Sequence, residues 1–314
     1  MSTSIAPSPF FEGTNIQYAW DSTSLGMFKE CPRMYYYRMI ENWAPRGISV
    51  HLIFGQIYHS CLEHYEHDRA AGLTHDEATS KMVFKAMLET WVHDKDAEGK
   101  PIPGTGKPWD SEHNLKTREN LVRSLVWYVE QFQNDPAKTV ILASGKPAVE
   151  LSFKLQIDDM LLCGHLDRVV EFQGSQYVMD HKTATSTVSS YYFDQYNPDN
   201  QMTLYTAASQ IIYQAPVKGV IINAVQIAVG FSRFERGFTY RTTNQINEWL
   251  HDTREYILLA ARSAERNHWP MNDKSCHKYG GCPFRRICSK DPEVRQEFLK
   301  ADFVKKIWNP LEIR

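Results

Sequence analysis

The sequence lacks any long uninterrupted hydrophobic run. No apolar stretch reaches about eighteen residues, the length that a helix needs to cross a bilayer. The first twenty residues also lack a basic segment followed by an apolar one, so they do not resemble a secretory signal peptide. These absences argue against membrane insertion and secretion, and we expect a cytoplasmic protein.

The sequence also lacks an excess of charge of either sign. Its 35 Lys and Arg residues nearly balance 37 Asp and Glu residues, and the net charge of −2 gives no overall sign of a nucleic-acid partner. Local basic patches do occur. Residues 261–290 carry seven basic residues, among them Arg285 and Arg286, against two acidic ones, a balance of +5. Residues 28–46 combine four basic residues, including Arg33, with three tyrosines, which suits single-stranded nucleic acid or a solvated helix face packed on a core.

A phosphate-binding loop of the nucleotide-hydrolysing motors is absent too. The segment 96–110 contains glycines, but Thr105 follows Gly104 where such a loop requires Lys, and Pro101 and Pro108 disrupt the register that would end at Lys107. Internal repeats and low-complexity tracts are not evident either. We therefore expect no motor in this chain.

The hydrophobic content of 42% over 314 residues is sufficient for a substantial core. Helical periodicity and capping residues (Ser22 or Thr23, and Thr74) predict helices over 22–41, 55–70, 74–94, 111–134, 197–213 and 243–267. Alternating and β-branched segments predict strands over 148–157, 160–172, 175–182 and 217–229. Helices around a strand-rich centre predict an α/β fold with a mixed central β-sheet flanked by helices.

Asp180 and Lys182 stand two residues apart where the apolar strand "YVMDHK" ends. Residues i and i+2 of a strand share a face, so their side chains would lie together, as they also would in a surface ion pair. If the chain turns at Gln173-Gly174, the hairpin places Asp167 opposite Asp180. Two opposed carboxylates repel each other unless a divalent cation lies between them. The pattern therefore predicts a metal site.

A cation held by Asp167 and Asp180 would polarise a phosphodiester and acidify a bound water. Lys182, on the same face, would orient or deprotonate that water and offset the developing negative charge. The predicted chemistry is hydrolytic phosphoryl transfer, with Asp167, Asp180 and Lys182 as the catalytic residues.

Four short motifs occur along the chain in a defined order. They are "GQIYH" (55–59), "GHLDR" (164–168), "DHK" (180–182) and "QMTLY" (201–205). In this order they resemble the RecB-type branch of the PD-(D/E)XK nuclease superfamily. The resemblance implies a restriction-endonuclease-like core with a helical insertion and a requirement for Mg²⁺ or Mn²⁺.

The same resemblance implies roles for further residues. His59 and the backbone carbonyl of His181 would be metal ligands beside the two aspartates, and Gln201 and Tyr205 would position the catalytic strand or the DNA. We also expect basic residues to bind or position the substrate, namely Arg168, Arg33, Arg285 and Arg286.

Six cysteines remain to be explained, and a cytoplasmic protein rarely uses them in disulfides. Cys61 and Cys163 fall within apolar patterns and are predicted to be buried thiols. The other four predict a four-thiolate site that joins the two ends of the chain; they are Cys31, Cys276, Cys282 and Cys288. Zinc sites favour shorter spacings than the two five-residue gaps found here, whereas a [4Fe–4S] cluster accepts looser ones. His277, beside Cys276, leaves a mixed-ligand Zn²⁺ site as an alternative.

This arrangement, with one cysteine before a RecB-type core and three after it, resembles that of the iron-sulfur CRISPR-associated exonucleases and the AddB-type nuclease domains. The resemblance covers residues 20–290. The two five-residue gaps depart from the spacing of those families and leave the type of cluster open. The resemblance implies a metal-dependent DNA exonuclease with a [4Fe–4S] cluster that acts on ends or single strands in recombination, repair or replication. We expect a bacterial cytoplasm, or that of a bacterial host if the gene is viral. Because no motor motif occurs in this sequence, we also expect a helicase or recombination protein as a partner in trans.

We expect one nuclease domain over 1–314, composed of an N-terminal helix with the first cluster cysteine (20–50), a helical part (55–137), the catalytic sheet (139–230) and a C-terminal helix with the three-cysteine segment (243–314). The alternative is a catalytically silent iron-sulfur module that binds DNA ends, against which the intact Asp167, Asp180 and Lys182 argue. A zinc-containing RNA nuclease would share every catalytic residue, and substrate assays would separate it.

Overall fold

The structure is a computed structural model that describes residues 7–47, 49–98, 100–212 and 217–312. Contacts within the chain divide it into two compact units. The unit that we call the terminal unit contains residues 7–47, 152–165 and 241–312, and the central unit contains residues 49–151 and 166–240. That the two units together form one domain stays a prediction.

The described residues form both strands and helices, with β5 to β8 consecutive in the middle of the chain. The strands are β1 (Ala19–Trp20), β2 (Trp43–Pro45), β3 (Trp91–Val92), β4 (Lys107–Pro108), β5 (Lys138–Thr139), β6 (Val149–Ile157), β7 (Met160–Phe172), β8 (Ser175–Ala184), β9 (Val217–Ala228), β10 (Phe231–Thr239) and β11 (Phe303–Lys305). The α-helices are α1 (Ser22–Glu30), α2 (Pro32–Tyr35), α3 (Val50–Ala70), α4 (His75–Glu89), α5 (Arg118–Gln131), α6 (Ser190–Asp194), α7 (Asn200–Ile212), α8 (Thr243–Glu265), α9 (Arg285–Cys288) and α10 (Arg295–Asp302). Among the helices of the described residues, none combines the length and the hydrophobicity needed to span a bilayer.

The main sheet is mixed, which confirms the predicted α/β fold. β7 pairs with β8 antiparallel, β8 with β9 parallel, and β9 with β10 antiparallel. The parallel pair is connected through α6 and α7, as parallel neighbours require a crossover. The first part of β7 belongs to the terminal unit, where β1 pairs with it in parallel; the second part belongs to the central unit. All four predicted strands are present, whereas β10 was not predicted.

The β7–β8 hairpin has the predicted register. Phe172 pairs with Ser175 and Arg168 pairs with Met179, and one further step in this register sets Asp167 opposite Asp180. The turn consists of Gln173 and Gly174, with φ of 51° and 72°. Left-handed backbone at both residues is typical of the two-residue turn that matches the twist of a hairpin, and it is what glycine permits most readily.

Side-chain caps mark the start of α1, α4, α5 and α8, and two of the predicted helices are shorter than expected. Thr74 caps α4 as predicted, while the cap of α1 is Asp21 rather than Ser22 or Thr23. The helix predicted over 22–41 is interrupted at Cys31, because Pro32 begins a new helix. The helix predicted over 74–94 ends at Glu89, since β3 pairs with β4 instead.

The core of the central unit lies between its helices and the sheet. Buried side chains of α3, α4 and α5 form one cluster with Val225 and Ile227 of β9; those almost completely buried include Phe54, Tyr58, Met82, Leu121 and Leu125. On another part of the sheet, α7 contacts β8 and β9. β8, which carries Asp180 and Lys182, thereby contacts both α3 and α7.

The terminal unit joins segments from opposite ends of the sequence. β2 pairs antiparallel with β11, and Tyr37 and Trp43 pack with Phe284 and Phe303 in one apolar cluster. The side chains of Asn272 and Ser275 both donate hydrogen bonds to the carbonyl of Glu30, at 2.8 and 2.7 Å. The start and the end of the chain therefore meet beside Cys31.

Candidate active site

Two carboxylates lie at the end of the β7–β8 hairpin in the central unit. The side chain of Asp180 is only 1% exposed, and that of Asp167 is 13% exposed. The backbone N–H of His181 donates a hydrogen bond of 3.0 Å to Oδ2 of Asp167, which fixes this carboxylate against β8. The hairpin thus brings together the two aspartates that the sequence predicts as a pair.

Lys182 completes this arrangement from the same face of β8. Its ammonium lies 2.7 Å from Oδ2 and 3.0 Å from Oδ1 of Asp180, and it donates a further hydrogen bond of 2.9 Å to Oε1 of Gln201. Gln201 in turn donates to the hydroxyl of Tyr205 at 2.9 Å. Helix α7 therefore holds the lysine through residues one turn apart, Gln201 and Tyr205.

Burial and charge shift the pKa values of these groups. Burial raises the pKa of the Asp180 carboxyl to about 6, although Lys182 opposes the shift. Burial alone would lower the pKa of Lys182. The negative charges of Asp180 and Asp167 outweigh this effect of burial, so the pKa of Lys182 lies above its usual value. Lys182 is therefore charged at neutral pH, which favours a role as hydrogen-bond donor and positive charge over a role as base.

His59 approaches the carboxylates from α3. Its Nδ1 lies 3.3 Å from Oδ2 of Asp167, and its ring packs edge-on against that of His181, with centroids 5.8 Å apart. A histidine nitrogen beside a carboxylate oxygen is a donor set that suits a divalent transition metal. The motif "GQIYH", which ends at His59, therefore lies beside the carboxylate of Asp167.

Glu150, at the start of β6, was not predicted. One ligand atom each of His59, Glu150 and Asp167 lies within 4.8 Å of the other two, and these residues line one pocket with Glu63 and His181. The backbone φ of Glu150 is 47°, in the left-handed region that residues with a β-carbon rarely adopt. No pattern in the sequence points to this residue, because a single Glu before an alternating strand resembles any other strand start.

The imidazole of His181 is held by a buried polar network. Nδ2 of Asn223 donates to His181 Nδ1 at 2.9 Å, and Oδ1 of Asn223 accepts from Nε of Arg236 at 3.0 Å. Arg236 donates two hydrogen bonds to Asp135, of 2.7 and 2.6 Å. Burial lowers the pKa of His181 well below its usual value, so the ring is neutral and carries its proton on Nε2.

Arg168 lies on the other face of β7 from Asp167. Its guanidinium is buried, with Nη1 3.2 Å from Glu66 and Nε donating to Thr139 at 2.9 Å. These contacts connect β5, β7 and α3. A role for Arg168 toward substrate stays a prediction.

The chain matches a known family over most of its length. A sequence profile of the PD-(D/E)XK nuclease superfamily matches residues 21–289. The chain belongs to this superfamily. It is therefore a nuclease, for which the superfamily implies DNA as substrate, and nucleases of this superfamily use divalent metal ions.

Two curated relatives of this nuclease come from mycobacteriophages. It is 22% identical over 207 residues to the Gene 69 protein of Mycobacterium phage D29, which covers 63% of this chain and 71% of that protein. It is also 22% identical over 231 residues to the Gene 69 protein of Mycobacterium phage L5, covering 63% and 73%. Among solved structures, it is similar to a candidate exonuclease from Eubacterium rectale, with a TM-score of 0.49, 10% identity and coverage of 89% of this chain and 92% of that one.

The terminal unit of the nuclease brings the four predicted cluster cysteines to one pocket. Cys31, Cys276, Cys282 and Cys288 line it together with apolar side chains such as Met34 and Phe284. Backbone hydrogen bonds from Cys282 to the carbonyl of Cys276 and from Cys288 to that of Phe284 fix three of the thiols. Within the described part of the chain, no three of these sulfur atoms lie within 4.8 Å of one another.

The remaining predicted residues lie in or near this pocket. Arg33 donates through Nε to the carbonyl of Trp269 at 3.2 Å, and its charge lowers the pKa of Cys288, although burial raises it overall. Arg285 lines the pocket, and Arg285 and Arg286 are exposed.

Cys61 and Cys163 are buried outside this pocket, as predicted, and burial raises the pKa of each thiol to about 12.

Proposed function

We propose that this nuclease is a metal-dependent deoxyribonuclease that acts on DNA ends or single strands, in recombination, repair or replication. The contact of Lys182 with both Asp180 and Gln201 carries the proposal. This contact supports a complete catalytic set, because Asp167 and His59 lie beside Asp180 and Lys182. A module that had lost catalysis would have no need to hold a charged lysine on a buried carboxylate, which costs desolvation on both partners.

The residues present fit a divalent cation. Carboxylate oxygens of Asp167 and Asp180, a nitrogen of His59 and the carbonyl of His181 are the donors that would hold it. Such an ion would polarise the phosphodiester and acidify a water at this place. Lys182 orients the attacking water and offsets the negative charge that develops on the phosphate, and Gln201 and Tyr205 hold the lysine in position.

We also propose that Cys31, Cys276, Cys282 and Cys288 hold a [4Fe–4S] cluster, which joins the two ends of the chain. Four thiolates in one pocket support this assignment. Tetrahedral Zn²⁺ would hold its four sulfurs about 3.8 Å apart, given Zn–S bonds of about 2.3 Å. A zinc site would therefore require these sulfurs to move closer together, whereas a cubane binds its four thiolates at separate corners.

Arg33, Arg285 and Arg286 would bind the phosphates of the DNA, and Arg168 would act indirectly by holding β7. A helicase or recombination protein would supply separated strands in trans, because no motor motif occurs in the sequence.

The proposal is tested by purifying the protein without oxygen and measuring its iron content, its visible spectrum and its action on end-labelled DNA. Single- and double-stranded DNA and RNA are each offered with Mg²⁺ or Mn²⁺, and Lys182→Ala serves as the inactive control. We expect brown protein, degradation of DNA from its ends and activity in Mn²⁺ at least equal to that in Mg²⁺. DNA binding without cleavage would instead identify a silent end-binding module, and cleavage confined to RNA by a zinc-containing protein would identify an RNA nuclease.

A further inference from the structure

Glu150 belongs to none of the four sequence motifs, yet it lies in the catalytic pocket. It is the second residue of β6 and is partly buried, and the same pocket is lined by His59, Asp167 and His181. It adds a carboxylate to those of Asp167 and Asp180, and unlike Glu63 of the same pocket it has a ligand atom within 4.8 Å of ligand atoms of both His59 and Asp167. Its position raises the question of what a further negative charge does there.

Three separate elements bring His59, Glu150 and Asp167 together. α3 supplies the imidazole, β6 one carboxylate and β7 the other, and one ligand atom of each lies within 4.8 Å of the other two. His59 Nδ1 and Asp167 Oδ2 are 3.3 Å apart. One nitrogen and two oxygen donors converging on one point form a partial coordination sphere for a divalent ion.

The charges of four of these side chains also favour a cation. Asp167, Asp180 and Glu150 contribute three negative charges when ionised and Lys182 one positive charge, so these four sum to a formal −2. Without Glu150 the same sum would be −1. The buried hydroxyl of Tyr205 experiences all three carboxylates: its pKa is raised by burial first, and then by Asp167, Asp180 and Glu150. One divalent ion would neutralise the set.

The backbone of Glu150 is consistent with a fixed position for its carboxylate. A φ of 47° costs conformational energy in a residue with a β-carbon, and such outliers concentrate where a side chain has a functional position. Glycine or asparagine would adopt this conformation more readily.

We propose that Glu150 is a protein ligand of the divalent cation, in one coordination sphere with His59 and Asp167. This inference rests on the proposed metal-dependent function. It assigns the ion a fourth protein side chain, after Asp167, Asp180 and His59, on the side of Asp167 where α3 and β6 meet, and it adds to the donor set an oxygen that raises affinity for Mn²⁺.

The test measures Mn²⁺ binding in the absence of DNA, by calorimetric titration and by the rise in melting temperature that Mn²⁺ causes. Glu150→Gln keeps the shape of the side chain and removes its charge. Glu63→Gln is the matched control, because Glu63 lines the same pocket but its carboxylate lies near His67, at 3.8 Å. Glu150→Gly is a second variant, which suits the left-handed backbone if the glutamine variant folds poorly.

We expect Mn²⁺ affinity to fall by roughly tenfold to a hundredfold in both Glu150 variants and to stay within about threefold of the wild type in Glu63→Gln. Equal Mn²⁺ affinities for Glu150→Gln, Glu150→Gly and Glu63→Gln would overturn the proposal, whatever their cleavage rates. The proposed function fails separately. If the wild type cleaves no nucleic acid but the Glu150 variants bind Mn²⁺ more weakly than the wild type, the assignment of Glu150 as a metal ligand is confirmed and the nuclease activity is not. If the wild type cleaves DNA and the Glu150 variants bind Mn²⁺ normally, only the ligand assignment is wrong.

Discussion

The ammonium of Lys182 donates a hydrogen bond of 2.9 Å to the side-chain carbonyl of Gln201. This contact ties β8 to helix α7, which also carries Tyr205 one turn further on. The motif "QMTLY" thereby acquires a physical role, because the glutamine holds the lysine and the tyrosine holds the glutamine.

Gln201→Ala should lower kcat by about a hundredfold and change KM little, because the lysine would lose the partner that fixes its orientation. The double variant with Lys182→Ala should be no slower than Lys182→Ala alone, since the glutamine acts through the lysine. Steady-state kinetics on single-stranded DNA would measure this. Gln210→Ala, at an exposed position of the same helix, is the control and should retain full activity. Additive losses in the double variant would contradict the positioning role.

Asp167→Asn should abolish cleavage and weaken divalent-ion binding, yet the metal-free variant should melt at the same temperature as the metal-free wild type or higher. The reason is that the substitution removes a negative charge beside the buried carboxylate of Asp180. Thermal melts in EDTA and in Mn²⁺ would separate the two effects. The exposed Asp159→Asn is the control. Cleavage at the wild-type rate by Asp167→Asn would remove the aspartate from the metal site.

Cys31→Ser should give a pale protein with little iron and a melting temperature lower by roughly 5–10 °C. In the proposed cluster, Cys31 would close a loop of more than two hundred residues onto the other three cysteines, and such closures contribute several kcal/mol in principle. Protease cleavage should concentrate near both ends of the chain. Cys163→Ala, which changes a buried thiol outside the pocket, should keep its iron. Full iron content in Cys31→Ser would refute the four-cysteine cluster.

Lys116→Met should stabilise the protein at neutral pH and flatten its dependence on pH. Lys116 is fully buried, its ammonium contacts no hydrogen-bond acceptor among the described residues, and it lies 4.2 Å from the ring centroid of Phe54. Burial lowers its pKa to about 7. Between this value and the unfolded pKa of about 10.4, the unfolded state binds a proton that the native state lacks, so wild-type stability rises with pH by about 1.4 kcal/mol per unit.

Denaturant unfolding of Lys116→Met at several pH values above 7 measures this slope. The exposed Lys146→Met is the control and should keep the wild-type slope. An unchanged slope in Lys116→Met would show that the lysine keeps its proton in the native state.

The sequence predicts the catalytic hairpin well because two local signals agree. The turn residues Gln173 and Gly174 set the register, and the alternating strands on either side set the faces, so the order of residues alone is enough to pair Asp167 with Asp180. By contrast, β10 escapes prediction because its aromatic residues Phe231, Phe234 and Phe238 recur at three and four positions, a helical spacing.

Glu150 could not be predicted for a different reason. Its place in the pocket depends on a left-handed backbone, which glycine or asparagine would indicate in a sequence but glutamate does not. The number and spacing of the cysteines predict that Cys31 meets the other three, whereas the segment that brings them together, from Trp269 to Ser275, carries no periodic pattern and is defined by hydrogen bonds to the first helices.

The short turn between β7 and β8 also limits how this chain can vary in length. One residue inserted at Gln173 or Gly174 would shift β8 by one position against β7. Because side chains alternate along a strand, Asp180 and Lys182 would then both lie on the face of the sheet opposite to Asp167. The strands and the core could survive such an insertion, while the carboxylates would no longer face each other. Active homologues should therefore accumulate insertions and deletions in the long connection between β3 and β4, and conserve a two-residue turn at the hairpin.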